Sequence, residues 1–248
     1  MSEIKAVLCD IGGVLYVGDT PIEGAVEAVA RIKEHFSVRF LTNTTQTRGE
    51  QLAELLQKMG FDIEPYEIIT ALDVTKMYLQ EHRSNAYYLL TDEAKKQFTD
   101  LTFENIDYVV VGDAQENFSY GSLNTAFRHL HSGATLLAAA KNRYFKDADG
   151  ELSMDAGGFV QALEYAVQKE AKIIGKPSME FYHLACQMLA YKPEECIMIG
   201  DDIESDIGGA QDAGLKTVLV KTGKFRPQDL QTGIKADMVI DSIADFTL

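Results

Sequence analysis

Cysteine, proline and positive charge are all scarce in this chain, and each scarcity closes off a class of protein. The thiols are Cys9, Cys186 and Cys196, three in 248 residues. Their number is odd and their spacing unpaired, so neither a disulfide framework nor a four-ligand zinc site is available. The apolar neighbours Leu8, Ala185 and Ile197 mark them as buried thiols instead. Only five prolines accompany a 46% hydrophobic fraction, which excludes disordered, collagen-like and coiled-coil chains. Lysine and arginine number 23 against 38 acidic residues, a formal net charge of −15. With no basic cluster beyond Lys95-Lys96 and the neighbours Lys224 and Arg226, nucleic acid is excluded as a partner. No run of 18 apolar residues exists, so no membrane span is expected. The first apolar run contains Asp10 and does not read as a signal peptide. A reduced, cytoplasmic, soluble protein follows. GxSxG, Walker A and dinucleotide glycine signatures are missing as well.

What is present is an alternation of strand and helix. Ile4–Cys9 is a short apolar run that stops at Asp10-Ile11-Gly12-Gly13, a strand followed by a glycine turn. A helical pattern (Ala25, Val26, Val29, Ile32) leads to a second strand, Val38–Leu41, which runs into Thr42-Asn43-Thr44-Thr45. The next helix shows Leu52, Leu55, Leu56 and Met59 on one face, with a capping box predicted at Thr47-x-x-Glu50 and a stop at Gly60. A middle series holds strands Ala86–Leu90, Tyr108–Val111 and Thr135–Ala139, helices Leu123–Leu130 and Phe159–Val167, and a hairpin turning at Asp147–Gly150. That turn lacks the distal ligands of a calcium loop and reads as a plain β-turn. The last section repeats the first pattern: helix 181–189, strand Cys196–Ile199 ending at Gly200-Asp201-Asp202, a helix around Ile207 and Ala210 closing at Gly214, and strand Thr217–Val220. The predicted fold class is α/β, a Rossmann-like parallel-sheet core (residues 1–77 and 173–248) with an inserted α/β cap (78–172).

Asp10, Thr42 and Asp201 each follow an apolar strand, so an open parallel sheet would bring them together outside its carboxyl edge. Lys176 precedes a helix at Gly175-Lys176-Pro177-Ser178. An aspartate after a strand is commonly just a helix cap; four such segments in this order suit a phosphoryl group held by a hard metal. Asp10 and Asp201 would offer oxygens to Mg²⁺. Lys176 would neutralise phosphate charge and restrain Asp10, and Thr42 with the Asn43 backbone would donate to phosphate oxygens. One oxygen of Asp10 would then be free to attack phosphorus.

These segments resemble the four motifs of the haloacid dehalogenase superfamily of phosphatases: Asp10 with Gly13-Val14, the Leu41-Thr42-Asn43 turn, Lys176-Pro177, and Gly200-Asp201-Asp202-x-x-x-Asp206. The insertion between the second and third motifs is similar to the α/β cap of the subgroup that includes nucleotide and 4-nitrophenyl phosphatases. Asn142–Phe145, Gly157-Gly158-Phe159 and Lys221-Thr222-Gly223-Lys224-Phe225 look closer still to the phospholysine phosphohistidine inorganic pyrophosphate phosphatase branch. The resemblance implies Asp10 as nucleophile and metal ligand, the Gly12 carbonyl as a second ligand, Asp201 as the metal-binding acid, and Asp206 behind it. Asp202 is an alternative in that last role. It further implies small phosphorylated substrates or a phospho-side chain, and a homodimer formed through the cap.

One position departs from the pattern. The acid/base aspartate two residues after the nucleophile is Gly12 here, which cannot protonate a leaving group. Losing such a group typically costs on the order of 10²–10⁴ in rate. Two expectations follow: a slow Mg²⁺ phosphatase that favours P–N or P–O–P bonds, or a degenerate protein of the same fold that binds a phospho-ligand without turnover. Elsewhere, His183 and Cys186 lie at i, i+3 without a second pair and do not make a zinc site. His35, His82, His129 and His131 sit near helix ends, and Tyr87, Tyr88 and Tyr108 read as packing.

Overall fold

The computed structural model describes residues 3–146 and 151–247. In chain order its regular elements begin with β1 (Ala6–Asp10), a short β2–β3 hairpin (Tyr16–Val17, Thr20–Pro21), α1 (Ala25–His35), β4 (Ser37–Thr42), α2 (Gly49–Lys58) and β5 (Ile68–Thr70). The middle comprises α3 (Ala71–Glu81), β6 (Asn85–Leu89), α4 (Asp92–Lys95), β7 (Ile106–Val111), α5 (Tyr120–His131), β8 (Thr135–Ala138), β9 (Tyr144–Lys146), β10 (Leu152–Met154), α6 (Ala156–Val167) and β11 (Lys172–Ile173). The end is α7 (Met179–Met188), β12 (Cys196–Gly200), α8 (Gly209–Asp212), β13 (Lys216–Val220) and β14 (Met238–Ile240).

The chain divides into two compact units, one of Met1–Thr42, Gly49–Ile69 and Lys176–Leu248, the other of Asn43–Arg48 and Thr70–Gly175. Residues 43–48, 70–77 and 173–175 thus group with the second unit, whereas the sequence reading draws the cap at 78–172. In the first unit a six-stranded sheet runs in the order β14-β13-β12-β1-β4-β5. β1 pairs in parallel with β12 on one side and β4 on the other. Every residue of β1 and β12 is buried, as a central strand covered on both faces requires, and their near-continuous apolar runs supply that. α1 presents Ala25, Ala28, Val29 and Ile32 to the core, where they join Val7, Cys9, Phe40, Leu56 and Ile199. All three cysteines are buried.

The second unit has its own four-stranded sheet, β11-β8-β7-β6, with parallel pairings throughout. α5 and α6 cover it with Ala126, Leu130, Val160 and Leu163. β9 and β10 form the expected antiparallel hairpin, and its turn at 147–150 lies outside the described residues. The predicted capping box at Thr47 and Glu50 does not form: α2 starts at Gly49, and neither side chain makes a capping hydrogen bond among the described residues. A threonine capping box does form at Thr70 and Asp73, at the start of α3. No helix among the described residues is long and apolar enough to cross a membrane.

Candidate active site at the carboxyl ends of the core strands

Three adjacent strands of the first unit end together. In register, Asp10 at the end of β1 lies beside Leu41 of β4, and Cys9 lies beside Ile199 of β12. One step beyond those partners stand Thr42 and the Gly200-Asp201 turn. Since the chain leaves β1 toward β4 on one side and later returns to β12 on the other, this edge is the switch point at which open α/β sheets bind ligands. Thr42 closes β4, and Asn43, the next residue, groups with the second unit.

Lys176 arrives from the segment before α7 and is 5% exposed. Its Nζ donates to Asp10 Oδ1 and, at 2.7 Å, to Asp206 Oδ1. Burial alone would push this ammonium toward neutrality, but the charges of Asp10 and Asp206 more than offset it and hold its pKa well above the usual lysine range. Asp206 reaches the site because a turn of π-helix, Ile203–Gly208, follows β12. Its Oδ2 accepts from the backbone N–H of Asp201 and of Asp202, both at 3.2 Å. Gly200 makes this approach possible: a Cβ there would lie 2.2 Å from the Asp206 Cβ. Asp206 therefore braces the 200–202 turn with one oxygen and anchors Lys176 with the other.

Asp201 is 1% exposed, and its Oδ2 accepts from the backbone N–H of Lys224 at 2.6 Å. Among the described residues its Oδ1 is buried with no hydrogen-bond partner. Desolvation, then the neighbouring charges of Asp10 and Asp206, raise Asp201 to about 7 and make its ionised form costly without a cation. Asp206 is pushed up to about 6, chiefly by burial, with Lys176 pulling the other way. Asp202 behaves differently. Burial favours its neutral form, but the N–H of Ser205 and the charge of Lys224 outweigh it and lower its pKa. Its Oδ1 accepts from the N–H groups of Glu204 and Ser205, so it caps the following turn.

One carboxylate oxygen each from Asp10, Asp201 and Asp206 lie within 4.8 Å of one another, and Asp202 is outside that group. Three buried carboxylates against one ammonium, with one oxygen unsatisfied, form a donor set that fits a hard divalent cation. At Gly12, a Cβ would meet nothing within 4 Å, so the missing side chain leaves open space. The Gly13 N–H donates to the Tyr16 carbonyl at 2.8 Å, which fixes the plane of the Gly12–Gly13 peptide.

The turn after β13 is a component that the sequence reading did not assign to the site. Thr222 Oγ1 donates to the Gly13 carbonyl at 2.6 Å. Gly13 and Gly223 both have positive φ, +85° and +60°, and pass close to the Asp201 carboxylate. Its sequence signal is the Lys221–Phe225 stretch, which carries a family resemblance but no catalytic residue type. The bland readings of the histidine and tyrosine positions agree with the structure. His183 Nε2 pairs with the Ala213 carbonyl, Tyr87 stacks on His129, and Tyr108 meets Tyr78 edge-on.

Comparison with known proteins agrees in two independent ways. Residues 7–104 match the family described as haloacid dehalogenase-like hydrolase, and residues 173–246 match a second described as HAD-hydrolase-like. The phospholysine phosphohistidine inorganic pyrophosphate phosphatase of Rattus norvegicus is 40% identical, covering 99% of this chain and 93% of the relative. Haloacid dehalogenase-like hydrolase domain-containing protein 2 of Bos taurus is 42% identical, covering 91% and 87%. Among solved structures, 4-nitrophenylphosphatase from Thermotoga maritima superposes with a TM-score of 0.89 at 25% identity, covering 98% of this chain and 95% of that one.

Proposed function

The chain belongs to the haloacid dehalogenase-like hydrolase family, and from that premise we propose that it is a magnesium-dependent phosphatase acting through an aspartyl-phosphate at Asp10. The observation that carries this reading is the convergence of Asp10, Lys176 and Asp201 at one sheet edge, with Asp201 Oδ1 buried and unpartnered. Asp10 and Asp201 would hold Mg²⁺, with the Gly12 carbonyl as a further ligand. Bound there, the ion supplies positive charge against the phosphoryl oxygens.

Lys176 restrains Asp10 through its Oδ1, and one carboxylate oxygen of Asp10 attacks phosphorus. The bond from phosphorus to the leaving group breaks, and its electron pair departs with that group. Water then attacks the aspartyl-phosphate, releasing inorganic phosphate and restoring the Asp10 carboxylate. Lys176, Thr42 and the Asn43 backbone bind the phosphoryl oxygens, and Asp206 keeps Lys176 and the 200–202 turn in place. With glycine at position 12, no side chain two residues beyond the nucleophile donates a proton to the leaving group. Substrates whose leaving group needs none fit best: pyrophosphate, a phosphoramidate whose nitrogen arrives protonated, or a nitrophenyl phosphate. The names of the relatives support that substrate class. We further propose that the enzyme is cytoplasmic and pairs two copies through the second unit, where Tyr120 and Tyr165 stand exposed.

Phosphate release from pyrophosphate and from 4-nitrophenyl phosphate, with Mg²⁺, with chelator and with Asp10→Asn, tests the proposal. Release should need both the metal and Asp10. Gly12 is the observation that favours a second reading, a phospho-ligand-binding protein without turnover. A metal-dependent rise in melting temperature with phosphate, and no product above the Asp10→Asn background, would select it.

A further inference from the structure

The stretch Lys221–Phe225 carries no catalytic motif, yet its backbone passes close to that of Gly13. After β13 ends at Val220, the chain turns at Gly223 and lays its backbone against the loop that follows β1. An added Cβ at Gly13 would lie 2.0 Å from Asp201 Oδ2 and 2.9 Å from the Gly223 Cα. One at Gly223 would lie 2.0 Å from the same oxygen and 2.5 Å from the Gly13 Cα. The Asp201 carboxylate is therefore seated between two glycine backbones, in a slot no side chain could share. Two hydrogen bonds close the slot. The Thr222 hydroxyl donates to the Gly13 carbonyl at 2.6 Å, and the Lys224 N–H donates to Asp201 Oδ2 at 2.6 Å.

The consequence lies at the other oxygen. A carboxylate free to rotate would share both oxygens among nearby donors. Here Oδ2 is committed, and Oδ1 is left buried and without a partner beside Asp10 and Asp206. We infer that Thr222 is a positioning residue for the divalent cation: its hydroxyl latches the 222–224 turn to the loop after β1, and the latched turn holds Asp201 with Oδ1 presented as a metal ligand. This rests on the reading of Asp201 as a ligand. Groups behind a metal ligand that fix its orientation typically set affinity by 10- to 100-fold when removed.

The probe is Mn²⁺ binding to the full chain, followed by titration calorimetry without substrate, for the wild type, Thr222→Val and Thr222→Ser. Valine keeps the shape and loses the donor, and serine keeps the donor. Thr222→Val should weaken Mn²⁺ binding about tenfold or more, and Thr222→Ser should stay within about threefold of wild type. In turnover, the valine variant should need correspondingly more Mg²⁺ for half-maximal rate. Its kcat at saturating metal should fall far less. Gly223→Ala, which drives a methyl into Asp201 Oδ2, should weaken Mn²⁺ by at least as much, and it stands in should the valine variant not fold. Wild-type affinity in the valine or alanine variant overturns the inference, as does equal weakening by valine and serine. A wild type that binds no Mn²⁺ fails earlier and removes the metal reading itself.

Discussion

In the proposed reaction, Gly12 bears on the rate because it offers no proton to a leaving group. A Cβ there would meet nothing within 4 Å, and the residue's φ is not in the left-handed region, so a side chain can begin at this position without a clash at Cβ or backbone strain. Gly12→Asp should raise turnover of an alkyl phosphate such as glycerol phosphate by about 10², and that of 4-nitrophenyl phosphate much less, because nitrophenolate leaves without a proton. Steady-state kinetics on the two substrates checks this, and an equal change in both would refute the account of the missing acid. Lys176 makes the complementary case. Replaced by Met, it leaves Asp10 and Asp206 buried with no ammonium between them. Breaking such a buried pair costs about 3–5 kcal/mol. The loss should be greater at pH 8 than at pH 5, since at the lower pH Asp206, already raised to about 6, takes up a proton and sheds the unpaired charge. Denaturant melts of the metal-free variant at both pH values read this out. Asp10 and Asp201 are legible in sequence because a charged residue closing an apolar strand is visible in one dimension, and Lys176 is legible from its place in Gly175-Lys176-Pro177-Ser178 before a helix. The Asp206 contacts and the Thr222 latch are not, since each depends on how two turns far apart in the chain meet at glycines.

At the level of elements, the strongly periodic segments were read nearly to their ends: β1, α1, β4, β7, α5, β12 and β13 each begin or end within about three residues of the pattern that announces them. The misreadings share a cause. β5 passes into α3 at Ile69-Thr70-Ala71 with no glycine or proline between them, so the break had no punctuation to mark it. β11 and β14 are two and three residues long, too short at a sheet edge to show any alternation. The sequence pattern predicts a capping box at Thr47, whereas Thr70 Oγ1 accepts the Asp73 N–H at 3.2 Å and Asp73 Oδ2 accepts the Thr70 N–H at 2.8 Å. Both positions offer a threonine followed three residues later by an acid, so sequence alone does not separate them. Thr70→Ala should destabilise the protein by about 1 kcal/mol through loss of the α3 cap, and Thr47→Ala by much less. Urea unfolding of the two variants distinguishes them, and equal losses would mean that the Thr70 box contributes nothing beyond burial.

For the molecule as a whole, the acidic edge of the sheet sets stability against function. Asp201, at about 7, and Asp206, at about 6, both have folded-state values above those of an unfolded aspartate. A carboxyl raised in this way stabilises the fold most at low pH, below its unfolded value. That stability is lost as pH rises from about 4 through 7, because the unfolded chain then releases protons more readily than the folded one. The metal-free protein should accordingly melt lower at pH 8 than at pH 5.5, by an amount on the order of a few kcal/mol in stability. The net charge of −15 acts in the same direction through self-repulsion, and ordinary salt screens that part. Mg²⁺ separates the two contributions. A cation held by the ionised cluster competes with protons for the same oxygens, so its stabilising shift should grow between pH 6 and pH 8 and exceed that of NaCl at matched ionic strength. Asp201→Asn removes the carboxyl with the highest value and one ligand at once. That variant should lose most of the pH-dependent fall in melting temperature together with the Mg²⁺-specific rise, retaining only the shift that NaCl also produces. Thermal melts with EDTA, Mg²⁺ and NaCl across this range measure all three quantities. A Mg²⁺ shift that is flat with pH, or one that persists undiminished in Asp201→Asn, would show that the ion acts by screening the whole surface, not by filling the slot beside Asp10.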